Sequence, residues 1–159
     1  MYNMLIVFAI FALMMVLMCA YIKDKENKIN EQIEGLANNT IEMTPEEFMK
    51  MRNFSFGGKG RKSYALTQNF PGVYIIYNKS KDMYYVGQGK QVLNRVNSHF
   101  TGKGNGDVYA DYKYGDEFTI RMIALENSGF ETLNELERRT ISYYNAFADG
   151  YNKTRGNRG

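Results

Sequence analysis

The hydrophobic positions fall into one long block and several short ones. Met4 to Ile22 holds nineteen residues without a charge. As a helix it would reach roughly 28 Å, close to the hydrocarbon thickness of a bilayer. The expectation is one membrane anchor over residues 1–22, in contact with lipid through residues 4–22. Nothing basic precedes the block and no small-x-small cleavage site follows it, so a cleaved leader ranks below an anchor. Residues 23–43 are polar, with Ile29, Ile33 and Leu36 at rough helical spacing. They read as a stalk, a helical extension of the anchor that Asn38-Asn39-Thr40 breaks. Lys23, Lys25 and Lys28 lie just past the apolar block, which places the C-terminal domain in the cytoplasm as a single-pass protein.

Shorter periods take over beyond the stalk. Thr44-Pro45-Glu46-Glu47 carries a cap, a first-turn proline and two acids, so a helix starts there. Phe54 to Ser63 is a glycine-rich basic loop, which makes 44–70 a short helix plus a loop. Val73 to Tyr77 and Tyr84 to Val86 are β-branched or aromatic, with turn residues between them. They predict a hairpin that closes at Asn78 and Met83 around a four-residue loop, Lys79 to Asp82. An even loop puts Tyr74 and Tyr85 on one face, because a one-residue slip flips every side chain. Gln91 to Phe100 reads as a helix with Leu93, Val96 and Phe100 as its apolar stripe. Thr101 to Gly106 reads as a turn, and 107–116 has no clear period. Phe118 to Leu125 reads as the third strand. Thr132-Leu133-Asn134-Glu135 opens a last helix, with Leu133, Leu136, Tyr143, Tyr144 and Phe147 marking its buried side. The fold class is α+β: a small three-stranded antiparallel sheet flanked by helices, over residues 71–153, with an N-terminal transmembrane helix and a basic tail at 154–159.

Charge adds a direction. The chain carries only +3 overall, but nine basic residues between Lys59 and Lys113 face three acidic ones. Such a face is a candidate for nucleic acid, and a solvated surface is the plainer reading. The candidate contacts are Lys59, Arg61, Lys62, Lys90, Lys103, Lys153 and Arg155. One cysteine and one histidine exclude an internal disulfide and a Cys/His zinc site. A catalytic metal would need oxygen ligands, as Mg²⁺ or Mn²⁺ does. Abundant Lys, Asn, Ile and Tyr without Trp fit an AT-rich bacterial or phage genome.

Several residues combine into one pattern. Gly72-Val73-Tyr74, ten residues and Tyr85-Val86-Gly87 are followed by Arg95 and, one turn later, His99. Glu137 lies on or beside the buried stripe of the last helix, where a carboxylate needs a partner. Its neighbours Arg138 and Arg139 point to other sides of the helix. Gly150-Tyr151-Asn152 closes the pattern. In this order the residues resemble the GIY-YIG nuclease family, here as a membrane-anchored, stand-alone catalytic module. Valine replaces the middle isoleucine in both tripeptides.

The resemblance implies a metal-dependent endonuclease, with DNA first among its substrates and one Mg²⁺ (or Mn²⁺) on Glu137. It implies catalytic roles for Tyr74, Tyr85, Arg95, His99, Glu137 and Asn152. Tyr74 would be the general base or the phenol that positions water. Arg95 would neutralise phosphoryl charge, and Tyr85 and His99 would place water or relay a proton. Asn152 would bond a phosphate or hold Tyr74. Two alternatives stand beside it: a non-catalytic nucleic-acid-binding module, and a membrane-tethered interaction module.

Overall fold

The computed structural model describes residues 2–55 and 63–157. Lys59, Arg61 and Lys62, three of the expected nucleic-acid contacts, lie outside the described residues. The apolar block and the stalk form one uninterrupted helix, α1 (Tyr2–Asn38). Its apolar stretch from Ile6 to Ile22 is exposed, and among the described helices it is the one long and apolar enough to cross a membrane. α2 (Pro45–Asn53) begins with the expected cap. The Thr44 hydroxyl accepts from Glu47 N–H at 3.2 Å, and the Glu47 carboxylate accepts from Thr44 N–H at 2.8 Å. A single turn, α3 (Tyr64–Thr67), leads into the sheet.

The sheet consists of β1 (Gly72–Asn78), β2 (Met83–Gly89) and β3 (Phe118–Ala124) in the order β2-β1-β3, with both pairings antiparallel. Asn78 pairs with Met83 and Ile76 with Tyr85, the register that the loop parity requires. β1 is the central strand and is buried on both faces, which explains its unbroken apolar run. On one face Tyr74 and Ile76 pack with Phe48, Ile120 and the stripe Leu93, Val96 and Phe100 of α4 (Val92–Phe100). On the other, Val73, Ile75 and Val86 pack with Leu136 and Ile141 of α6 (Leu133–Tyr143) and with Ile33 and Ala37 of α1.

The second core changes the meaning of the stalk. Ile33 is 0% exposed and Ala37 1%. Gln32 Nε2 donates to Ser128 O at 2.8 Å, and Arg121 Nη1 donates to Ala37 O at 2.8 Å. The last two turns of α1 are therefore part of the C-terminal domain's core. Arg121 of β3 is spent on Ala37 and Glu42.

Two further elements differ from the sequence reading. Gly106–Tyr114 is a helix, α5. Asn105 caps it, its side chain accepting from Asp107 N–H and Val108 N–H. The last helix ends at Tyr143, so Phe147 falls beyond it and is 39% exposed rather than buried.

Both sheet edges are partly covered. Met43 exchanges backbone hydrogen bonds with Ile120 on β3, and residues 151–152 lie along β2. This shortens the unpaired edges that invite other chains.

Burial of α1 in the core gives a test on the full-length chain in detergent micelles. Ile33→Ala should lower unfolding stability by about 2–5 kcal/mol, the range for emptying a buried aliphatic site. Ile10→Ala, on the exposed half, should leave the urea midpoint unchanged.

Candidate active site

Tyr74 stands at the centre of β1, with its ring in the first core and 1% exposed. A buried phenol needs a partner. It meets His99 Nε2 at 2.8 Å, from the last turn of α4. Gly87 is directly opposite Tyr74 on β2. A Cβ there would stand 2.3 Å from the Tyr74 hydroxyl and 2.5 Å from Cζ. The glycine of the second tripeptide is therefore the space in which the first tripeptide's tyrosine lies. Tyr85 shares that face, its ring centroid 6.1 Å from Tyr74 and 4.7 Å from His99.

The tautomer of His99 follows from its second hydrogen bond. Asn105 N–H donates to Nδ1 at 2.8 Å. A neutral ring then carries its proton on Nε2 and donates it to the Tyr74 oxygen. His99 is 0% exposed. Burial first, and the nearby Arg95 charge second, lower its pKa to about 4, so it stays neutral at ordinary pH. Tyr74 moves the other way. Burial raises its pKa well above the phenol's ordinary 10, the Tyr85 phenol adds to this, and Arg95 opposes it. Tyr85 is also raised, by burial first. Hydrogen bonding to Tyr74 and the Arg95 charge pull it back, and the Glu137 charge raises it further. Arg95 itself is exposed on α4, with its Cβ 3.3 Å from where a side chain at Gly89 would begin.

Glu137 stands on α6, on the opposite side of the sheet, and is 8% exposed. Gln88 Nε2 donates to Glu137 Oε2 at 2.9 Å and to Asn134 Oδ1 at 2.6 Å. Among the described residues Glu137 forms no ion pair with Arg138 or Arg139. Gln88 ties this carboxylate to β2, the edge strand that also carries Tyr85.

Asn152 also works at that edge. Its side chain accepts from Val86 N–H at 2.8 Å and donates to Val86 O at 2.7 Å. Its amide is thus spent on the β2 backbone rather than on Tyr74. Tyr151 N–H donates to Tyr84 O at 2.9 Å. Gly150 is needed for this approach, since a Cβ there would stand 2.3 Å from Tyr84 O. By strand alternation Gln88 turns its own backbone N–H and C=O to the same edge.

Glu137 fits one hard divalent cation. Among the described residues no three His, Cys, Asp or Glu side chains converge on a metal cage. A single oriented carboxylate is the donor set of an ion that keeps most of its water and shares substrate phosphate oxygens.

The expected nucleic-acid contacts are dispersed. Lys90 and Lys103 are exposed. Lys153 pairs with Asp107 at 3.0 Å, and Arg155 lies over the Phe147 ring. Two residues of the site, Gln88 and Asn105, do not stand out in the sequence. For Gln88 the available signal is its alternation with Val86 on the face toward α6. For Asn105 it is an Asn-Gly-Asp cap whose helix has no clear period behind it.

The family model of the GIY-YIG catalytic domain matches residues 70–152, slightly more than half of the chain. A curated relative, UvrABC system protein C of Desulfitobacterium hafniense (strain Y51), is 44% identical over 46 residues. That match covers 29% of this chain and 8% of the relative. No solved structure matches the chain.

The buried neutral imidazole has a pH signature. Between pH 6.5 and 4 only the unfolded chain takes up this proton, so stability falls as pH falls through that window. His99 should cost on the order of 2 kcal/mol between pH 6.5 and 4.5. Urea unfolding of wild type and His99→Gln at both pH values reads the difference. Equal slopes for the two proteins would refute a buried neutral ring.

Proposed function

The chain belongs to the GIY-YIG nuclease family, and on that basis we propose that it is a metal-dependent endonuclease acting on nucleic acid, DNA first, beside a membrane. The observation that carries this reading is the buried Tyr74 phenol, bonded to a histidine that can only donate to it. A purely structural tyrosine would be served by any acceptor. This one is set against a fixed N–H, with a guanidinium nearby, as a phenolate would require.

In this reading Tyr74 takes a proton from the attacking water. The phenolate that accepts it is stabilised beforehand by the Nε2–H of His99 and the Arg95 charge, while burial opposes it. The small phenolate fraction is strongly basic, and Tyr85, less buried, is the neighbour through which the proton exchanges with solvent. Arg95 neutralises charge on the phosphoryl oxygens. Glu137 holds the ion, and Gln88 fixes the carboxylate that holds it. When bound, Mg²⁺ or Mn²⁺ polarises the scissile phosphate and stabilises the leaving oxygen. Asn152 keeps the β2 edge straight beside the site. The exposed half of α1 spans the bilayer, and Lys23, Lys25 and Lys28 keep the domain on the cytoplasmic side.

The assay uses the full-length chain in micelles, because a fragment starting at residue 44 would lack Ile33 and Ala37. Single-stranded, double-stranded and branched DNA, and RNA, are offered with Mg²⁺ or Mn²⁺. Glu137→Gln should lower cleavage at least about a thousandfold, roughly 4 kcal/mol of transition-state stabilisation. Cleavage that survives both this change and a chelator would remove Glu137 from the reaction. Salt-sensitive binding without cleavage by the wild type would leave a binding module.

The phenols also set the pH profile. With Tyr74 held above its ordinary range, log kcat should rise with roughly unit slope from pH 6 to 9. No break should fall near 6.5, because His99 titrates near 4. A plateau beginning near pH 7 would rule out the phenol as base.

A further inference from the structure

A cavity of about 380 Å³ opens between α6 and the C-terminal segment, away from the tyrosines. Arg138, Arg139 and Arg155 line it, above apolar Ile141, Phe147 and Ala148. Among the described residues none of the three arginines forms an ion pair. The Nε–H of Arg139 is buried without a hydrogen-bond partner. Arg155 lies over the Phe147 ring, 5.3 Å from its centroid. Three like charges around one small space repel. A single anion relieves this repulsion. The half-exposed aromatic floor suits an anion that also carries a flat ring.

The segment that walls the cavity also runs to Glu137. Arg138 follows Glu137 on α6. Gly156 packs on the Arg138 backbone, where a Cβ would meet Cα at 3.2 Å. Asn157 N–H lies 3.5 Å from Glu137 Oε2. One short segment therefore forms a wall of the cavity and reaches the carboxylate.

We infer that this cavity is a second phosphate subsite, holding the substrate strand beside the scissile bond. The arginines take a backbone phosphate, and an unstacked base lies against Phe147 and Arg155. This rests on the nuclease reading. Stacking on an aromatic side chain is tolerant of base identity, so the subsite adds affinity for a strand without adding sequence choice.

The test uses the full-length chain with Glu137→Gln, which blocks cleavage, in phosphatidylcholine nanodiscs. The probe is fluorescein-labelled single-stranded DNA, read by anisotropy over a salt series. Replacing Arg138, Arg139 and Arg155 together by Gln should raise Kd at least about tenfold. It should also flatten the slope of log K against log salt by about 0.7 for each phosphate no longer neutralised. Arg155→Gln alone, on the exposed C-terminal segment, should move both in the same direction without changing the urea midpoint. Phe147→Ala should raise Kd and leave the salt slope intact. Unchanged Kd and slope in the triple variant, with the parent binding normally, would overturn the subsite. So would a loss confined to phosphatidylglycerol nanodiscs, which would mark a lipid headgroup site. If the parent fails to bind and the wild type fails to cut, the subsite and the nuclease reading fall together.

Discussion

A phenol 1% exposed in the middle of a central strand is a constraint from which much of the structure follows. It needs room, a partner, and something to hold that partner. Gly87 supplies the room by having no side chain where the ring lies. His99 supplies the partner from α4. The N–H of Asn105 holds the imidazole, and the side chain of the same residue opens α5. Hairpin, α4, turn and α5 are linked through one chain of hydrogen bonds. A satisfied network of this kind fixes one arrangement, because losing any member strands a buried polar group.

The second organising constraint is the edge of β2. The phenols and the carboxylate stand on opposite faces of the sheet, so one site can join them only around the edge strand. Most of that edge is closed by Tyr151 and Asn152, which bond the β2 backbone as a further strand would. What remains beyond Asn152 is Gln88, whose side chain orients Glu137 and whose backbone faces outward. The C-terminal segment thus confines the meeting of the two faces to the end of β2 that carries Gly87 and Gly89.

Much of this is legible in the sequence, for identifiable reasons. β-Branched and aromatic runs mark the strands, and loop parity sets the register of Tyr74 and Tyr85. The Thr44 cap announces α2. α5 is hidden because tyrosines stand both on its half-buried side, at Tyr109 and Tyr112, and on its outer side, at Tyr114, which is 89% exposed. Helical spacing puts Phe147 in the core, but the helix does not extend past Tyr143. Asn152 bonds the Val86 backbone rather than Tyr74, and no side-chain pattern encodes such a partner. Gln88 is inconspicuous because a lone amide in a strand carries no distinctive spacing.

The stalk is the most consequential difference. Ile29, Ile33 and Leu36 at helical spacing are compatible with a free helix, and nothing local distinguishes a free stripe from a docked one. The difference lies in the partners, Val73, Ile75 and Leu136, which are distant in sequence. Docking turns a tether into a structural member. A flexible linker would let the domain sample a volume set by its length. A helix continuous from the apolar block into the core instead holds the domain at one height, about 16 Å for the eleven residues from Ile22 to Ile33 at helical rise. For a chain that spans the bilayer as proposed, the site would meet only nucleic acid brought to the membrane surface. The anchor would then select substrate by position.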